Sequence, residues 1–141
     1  MLNVQVVSGL KLVLLLFLFI MSGCSTPAVV LNIYSDPLLN QDVHGQSYSV
    51  LVVLYQLKSP DQFENADYKL LLEQNPDALG ANLIAREEFI VEPDQSYRLE
   101  FHRENKAEHF GLVAFFRQVE GEQWKVAKKL DNGLLRPMTT G

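Results

Sequence analysis

Residues Ser47 to Leu57 read Ser-Tyr-Ser-Val-Leu-Val-Val-Leu-Tyr-Gln-Leu, and this stretch decides the fold. Successive side chains of a β-strand point to opposite faces of the sheet. Both alternating sets are apolar or aromatic here: Tyr48, Val50, Val52 and Leu54 form one set, and Leu51, Val53, Tyr55 and Leu57 form the other. A strand that is apolar on both faces has to be covered on both sides. The stretch therefore predicts a central strand in a layered β structure.

Shorter segments with strand character lie on either side of this central strand. Ala28 to Tyr34 is rich in β-branched and apolar residues, and Tyr97 to Arg103 alternates apolar with polar positions. Further strands are predicted at Glu87 to Val91, His109 to Val119 and Trp124 to Leu130. Gly133 to Arg136 is a candidate for a seventh strand. Strands at this short spacing, separated by turns, indicate a mainly β protein built as an antiparallel β-sandwich.

A short helical insertion is predicted directly after the central strand. Ser59 can cap a helix, Pro60 suits the first turn, and Gln62 would complete a capping box. Apolar residues then recur at helical spacing, namely Phe63, Ala66, Leu70 and Leu71. We expect this helix to be broken near Asp67.

The N-terminal segment has the pattern of a lipoprotein signal peptide. Lys11 precedes an apolar run, Leu12 to Met21, of about ten residues, which is shorter than the roughly 20 that a membrane-spanning helix needs. The run ends in Met21-Ser22-Gly23-Cys24, which resembles the bacterial lipobox. This resemblance implies that residues 1–23 are cleaved and that Cys24 carries a covalent lipid. The alternative is an uncleaved anchor followed by a buried cysteine.

The predicted mature chain has a short N-terminal linker. Residues 24–27 form the lipidated N-terminus with its linker, and residues 28–141 form the β-sandwich domain. Ser25 follows the cysteine, where Asp favours inner-membrane retention in enterobacterial lipoproteins, so the lipoprotein class implies the periplasmic face of the outer membrane. Loss of Lys11 leaves 17 acidic and 11 basic residues in the predicted mature chain, and this net charge of -6 argues against electrostatic docking to anionic lipid. The covalent lipid alone is therefore expected to hold the protein on the membrane.

Residue types that carry catalysis or metal binding are scattered along the sequence. His44, His102 and His109 form no paired ligand motif, and Asp42 near His44 is better explained as part of a solvated loop than as a metal site. His102 and His109 are both expected to be surface residues. The sequence has neither a GxSxG elbow nor a glycine-rich phosphate loop, and its acidic charge argues against nucleic-acid binding. We predict no catalytic residue, no metal, no cofactor beyond the lipid, and no small-molecule substrate.

Several segments follow one another in a characteristic order. The lipobox is followed by Val50-Leu51-Val52-Val53-Leu54-Tyr55-Gln56-Leu57, by Phe63-Glu64-Asn65-Ala66-Asp67-Tyr68, by Arg86-Glu87-Glu88-Phe89-Ile90-Val91-Glu92-Pro93, and by Phe110-Gly111-Leu112-Val113-Ala114-Phe115-Phe116-Arg117 before Trp124-Lys125. This order resembles the TssJ family, the outer-membrane lipoproteins of the type VI secretion system. The resemblance covers nearly the whole mature chain, and it implies a transthyretin-like β-sandwich with a short helical insertion.

The resemblance also implies a partner and a contact loop. Members of this family bind the periplasmic C-terminal region of the inner-membrane protein TssM through the loop between their first two strands, which falls at about residues 35–46 here. The implied partner-binding residues are Asp36, Pro37, Leu38, Leu39, Asn40, Gln41 and Asp42. Leu38 and Leu39 suit such a contact, although one or both leucines could instead tuck beneath the sandwich.

The predicted function is to anchor the trans-envelope secretion assembly to the outer membrane through this partner. The alternative is a periplasmic lipoprotein that binds a small ligand or a glycan. The sequence favours the first function, because it shows no cluster of polar residues that would converge on a pocket.

Overall fold

The computed structural model describes residues 28–73, 76–119 and 123–130, and within them the chain forms six strands in two antiparallel sheets. The smaller sheet pairs β1 (Ala28–Tyr34) with β4 (Ser96–His102). The larger sheet has the order β3-β2-β5-β6, and its strands are β2 (Val50–Leu57), β3 (Leu83–Val91), β5 (His109–Phe115) and β6 (Lys125–Lys129). The predicted antiparallel β-sandwich is confirmed. The signal peptide, Cys24 and the candidate seventh strand lie outside the described residues.

Strand β2 is the centre of the larger sheet, as its two apolar faces predict. It is hydrogen-bonded to β3 on one side and to β5 on the other. The residues of one face, Val50, Val52 and Leu54, belong to apolar clusters that also contain residues of the smaller sheet. The residues of the opposite face, Val53, Tyr55 and Leu57, pack with the helical insertion. The fold therefore has three layers, and β2 lies in the middle one.

The helical insertion (residues 58–82) covers the outer face of the larger sheet. It contains two short helices, α1 (Asp61–Asn65) and α2 (Tyr68–Leu72), and two 3-10 turns at Pro76–Ala78 and Gly80–Asn82. Asp67 separates the helices and caps α2, because its carboxylate accepts a hydrogen bond from the N–H of Leu70 at 2.7 Å. The predicted break near Asp67 is confirmed. None of the helices within the described ranges has the length and apolar character of a bilayer-spanning segment.

The predicted capping box at Ser59 is wrong. Residue Pro60 occupies the N-cap position of α1 without a side-chain cap. The Ser59 hydroxyl donates to the Asp61 carboxylate at 2.7 Å and accepts only a long hydrogen bond, 3.4 Å, from the Asp61 N–H. The side chain of Gln62 accepts a hydrogen bond from the Asn82 amide at 3.1 Å. Gln62 thus ties the helix to the end of the insertion, so it is not available to cap the first turn.

Strand boundaries also differ from the sequence-based expectations. β2 begins at Val50 because Ser47 and Tyr48 bond to the preceding loop: the Ser47 hydroxyl donates to the Pro37 carbonyl at 2.8 Å, and the Tyr48 N–H to the Leu39 carbonyl at 3.2 Å. Strand β3 begins at Leu83 and not Glu87, and β5 ends at Phe115 and not Val119. Strands β4 and β6 differ from the predicted bounds by one residue at each end.

Gln56 is a polar residue of the core and connects the two sheets. It is 2% exposed. Its amide nitrogen donates to the carbonyl of His102 at 2.7 Å, and its amide oxygen accepts from the N–H of Glu104 at 2.8 Å. A buried carboxamide needs such partners, and here they belong to the end of β4. Gln56 therefore fixes one end of the smaller sheet against the larger one.

Candidate partner-binding loop

The β1–β2 loop (residues 35–49) lies at the end of the sandwich remote from the start of β1. β1 leads into the loop at Tyr34, and β2 leaves it at Val50. The strand β1 has seven residues, and at about 3.3 Å per residue it spans about 20 Å. The N-terminus of the described chain, at Ala28, and the predicted contact loop therefore lie at opposite ends of one strand.

The first half of the loop contains both candidate leucines, and they have different environments. The Asp36 carboxylate accepts a hydrogen bond from the Leu38 N–H at 2.7 Å. Leu38 itself is 66% exposed. Leu39 is half-buried and packs against the buried cluster that contains Val50 and Val91. The sequence left open whether these leucines are exposed for a partner or packed beneath the sandwich. Leu39 packs beneath the sandwich, and Leu38 is exposed.

The second half of the loop is organised around the carboxylate of Asp42. Its Oδ1 atom accepts hydrogen bonds from the N–H groups of His44 and Gln46, both at 2.9 Å, and its Oδ2 atom accepts from the Tyr48 hydroxyl at 3.1 Å. The N–H of Gln46, with help from the N–H of His44 and the hydroxyl of Tyr48, lowers the pKa of Asp42 although burial opposes this shift. Asp42 therefore acts as an internal support of the loop.

Asn40 connects the first half of the loop with the residue before β2 and with the segment after β5. Its φ angle is 51°, in the left-handed region that asparagine tolerates better than most residues. Its amide nitrogen donates to the Ser49 carbonyl at 2.8 Å, and its amide oxygen accepts from the backbone N–H of Arg117 at 2.8 Å. The guanidinium of Arg117 in turn lies 4.2 Å from the centre of the Tyr48 ring. The residues just after β5 thus hold the loop from outside.

The remaining two predicted contact residues also have local roles. The carbonyl of Pro37 accepts the hydroxyl of Ser47, and the amide of Gln41 donates to the Gly45 carbonyl at 3.1 Å. Both bonds link the outgoing and the returning halves of the loop. The seven predicted residues therefore lie together on one loop, but among them Leu38 is the side chain most clearly left for a partner.

Sequence reasoning missed two other exposed apolar side chains near this loop and one residue that supports it. Val43 is 82% exposed and Tyr34, at the end of β1, is 81% exposed. Val43 could have been noticed as an apolar residue between Asp42 and His44. No sequence signal connects Arg117 with the loop, because the two are brought together by the pairing of β2 with β5.

A shallow cleft of about 270 Å³ lies beside the loop, and its walls are mainly carboxamides and aromatic rings. It is lined by Asn40, Gln41, Phe116, Gln118, Gln123 and Trp124. Within the described ranges, no group of three or more histidine, cysteine or acidic residues could hold a metal ion. His102 is exposed as expected, whereas His109 is half-buried and its Nδ1 atom is buried. The expectation that His109 is a surface residue is therefore wrong, since the residue lies in β5, paired with β2 and β6.

The fold and the loop together define a class of protein: a small β-sandwich with a helical insertion and a preformed loop that offers apolar side chains. The family model for type VI secretion lipoproteins, described by the names VasD, EvfM and TssJ, matches residues 27–137 of the chain. The chain therefore belongs to the type VI secretion lipoprotein family. This confirms the family resemblance that the order of sequence segments indicated.

Solved structures show the same fold. The lipoprotein TssJ1 from Pseudomonas aeruginosa is similar with a TM-score of 0.70 and 27% identity, over 75% of this chain and 81% of that chain. A chain described as a type VI membrane complex is similar with a TM-score of 0.70 and 25% identity, over 77% of this chain and 85% of that chain. A chain described as the TssM C-terminal domain from EAEC is similar with a TM-score of 0.64 and 23% identity, over 75% of this chain and 85% of that chain. This likeness concerns the fold alone. No curated protein matches significantly.

Proposed function

We propose that this chain is an outer-membrane lipoprotein that anchors the type VI secretion membrane complex. A covalent lipid on Cys24 attaches it to the periplasmic face of the outer membrane. The β1–β2 loop, through residues 36–42, binds the periplasmic C-terminal region of a TssM-type inner-membrane protein. Each buried CH₂ group of an acyl chain contributes about 0.8 kcal/mol, so that several chains together make release from the bilayer negligible. The role is that of a structural tether, which requires no catalytic residue and no cofactor.

The position of the loop relative to the start of β1 carries this proposal. Residues 25–27 separate Cys24 from β1, and three residues span about 10 Å at most. The start of β1 is therefore held close to the lipid. The loop lies about 20 Å further along β1, at the end of the sandwich that faces away from the membrane. A partner that reaches up from the inner membrane would meet this end first.

The chemistry of the loop supports a protein partner. Leu38 projects from a backbone that is fixed by side-chain hydrogen bonds, and an apolar anchor on a rigid support is typical of residues that dominate binding energy. A chain with this fold also occurs in a structure described as a type VI membrane complex. Both observations favour a TssM-type partner.

Binding is tested by Leu38→Glu, measured with the purified periplasmic C-terminal region of the TssM-type protein. We expect the dissociation constant to rise at least about tenfold, because loss of a hot-spot anchor typically costs about 2 kcal/mol or more and tenfold corresponds to about 1.4 kcal/mol. Leu72→Glu is the matched control, since Leu72 is 45% exposed and lies on α2 in the helical insertion. Equal affinities of the two variants would exclude Leu38 as an anchor.

Anchoring is tested independently by Cys24→Ser in the full-length precursor. The expected result is that the protein moves from the outer-membrane fraction of a density gradient to the soluble periplasmic fraction, and that labelling with radioactive palmitate is lost. A variant that still sediments with the outer membrane in cells lacking the TssM-type protein would contradict lipid anchoring through Cys24.

A further inference from the structure

We propose that Asn40 and Arg117 are positioning residues, which hold the β1–β2 loop in its binding conformation before a partner arrives. The inference rests on the proposed function, because it concerns how the same loop is prepared for binding. It assigns a role to a part of the molecule outside the predicted contact residues, namely the segment that follows β5.

The first attachment is the side chain of Asn40. Both ends of its carboxamide are engaged: the nitrogen donates to the carbonyl of Ser49, just before β2, and the oxygen accepts from the backbone N–H of Arg117. The left-handed backbone of Asn40, with φ of 51°, turns the chain directly after Leu38 and Leu39. Asn40 therefore fixes the direction in which the leucine-containing half of the loop leaves the sandwich.

The second attachment is the side chain of Arg117, and it reaches the other half of the loop. Its guanidinium lies 4.2 Å from the centre of the Tyr48 ring, and the Tyr48 hydroxyl donates to Asp42. Asp42 then accepts the N–H groups of His44 and Gln46. A continuous series of contacts thus runs from the end of β5 to the tip of the loop, which carries the exposed side chain of Val43.

These attachments matter because ordering a loop during binding reduces affinity. A loop of 15 residues, 35–49, that carries exposed Leu38 and Val43 would lose conformational freedom on binding if it were mobile in the free protein. The two attachments remove that freedom in advance. Breaking them should loosen the loop in the free protein as well as weaken binding, whereas the loss of a partner contact alone would weaken binding only.

The test uses three substitutions that separate the backbone geometry from the hydrogen bonds. Asn40→Gly permits the positive φ angle but removes both hydrogen bonds. Asn40→Asp keeps an acceptor for the Arg117 N–H but loses the donor to the Ser49 carbonyl. Tyr48→Phe keeps the ring beneath the guanidinium and removes only the hydroxyl that reaches Asp42.

Each variant is measured first without a partner, by amide hydrogen exchange of the loop residues. We expect Asn40→Gly to lower the protection of the loop amides at least about tenfold while the core strands keep theirs, and Asn40→Asp to give an intermediate result. Tyr48→Phe should lower protection mainly at residues 42–46. Unchanged exchange throughout the loop in Asn40→Gly would overturn the inference.

The same variants are then measured with the periplasmic region of the TssM-type protein. Asn40→Gly should raise the dissociation constant about tenfold. Tight binding by the wild type and by Leu72→Glu, together with weak binding by Leu38→Glu, would support the proposed function. If Asn40→Gly then binds like the wild type, the positioning role is wrong while the proposed function stands. If the wild-type protein itself does not bind, the proposed function fails, and the positioning role fails with it.

Discussion

The helical insertion (residues 58–82) and the β1–β2 loop (residues 35–49) are both excursions between strands, but they are held in opposite ways. The insertion buries its apolar side chains, among them Phe63, which is 1% exposed, together with Leu71 and Leu79. The loop keeps Leu38 and Val43 exposed and is held by hydrogen bonds of Asn40 and Asp42. Apolar burial thus organises one segment, and polar side chains organise the other.

This difference separates stability from binding within one small domain. Because most apolar side chains of the insertion are packed on β2 and β5, with Leu72 as an exposed exception, they offer little surface to a partner. The loop has its polar side chains directed to its own backbone, so its apolar side chains are available. Substitutions in the insertion should therefore reduce the free energy of unfolding, and those at the loop surface should affect binding alone.

The largest effect on stability is expected for Phe63→Ala. Phe63 belongs to the core cluster with Tyr55 and Trp124, and its ring lies 5.6 Å from that of Tyr55. Truncation of a buried phenylalanine costs about 3–5 kcal/mol, through lost transfer energy and the cavity left behind. Urea denaturation would measure this loss. Leu38→Ala is the control, with an expected change within about 0.5 kcal/mol, and similar losses in both variants would refute the comparison.

A second way to disturb the insertion is Gly111→Ala in β5. A Cβ atom at Gly111 would lie 2.7 Å from two atoms of the Phe63 ring, which is buried and cannot move away freely. Overpacking of this kind costs about 1–3 kcal/mol.

The control for Gly111→Ala is the same change combined with Phe63→Leu, which shortens the opposing side chain. The double variant should lose less stability than the sum of the two single variants, by at least about 0.5 kcal/mol. Strict additivity of the two losses would show that the Phe63 ring does not limit the space at Gly111.

A loss of stability similar to that of Gly111→Ala is expected for Lys125→Met. The ammonium group of Lys125 donates to three carbonyls at the end of α1, those of Phe63 at 3.2 Å, Glu64 at 2.6 Å and Ala66 at 2.7 Å. Methionine retains most of the apolar stem and removes the charge, so we expect a loss of about 1.5–3 kcal/mol. Lys128→Met, at an exposed position of the same strand, should be nearly neutral. Equal melting temperatures of the two variants would contradict the role of Lys125.

The sequence predicts the layered core better than it predicts the loop. The alternating apolar sets of β2 identify the central strand, because burial on two faces is a property of the strand itself. Asp67 likewise indicates the break between α1 and α2 through local capping chemistry. By contrast, Ser59 was expected to form a capping box with Gln62, but its hydroxyl bonds to Asp61 and the side chain of Gln62 bonds to Asn82, since several polar partners compete at a helix start.

The support of the candidate site could not be predicted, for a different physical reason. Asn40 and Arg117 are 77 positions apart in the chain, and they meet only because β2 pairs with β5. The different burial of Leu38 and Leu39 also depends on tertiary contacts, because Leu39 packs against the cluster that contains Val50 and Val91. Adjacent identical residues carry no signal that would distinguish their burial.

The smallest expected effect is the response of the loop to acid. Since the N–H of Gln46 and its neighbours lower the pKa of Asp42 below 3.8, the charged carboxylate stabilises the loop at pH values above about 3.8, and this contribution is lost as the pH falls through the lowered pKa. The amide resonances of His44 and Gln46 should then shift, while those of the insertion, which depends on apolar burial, should change less. Asp42→Asn should remove this transition, and its persistence in that variant would assign it to another group.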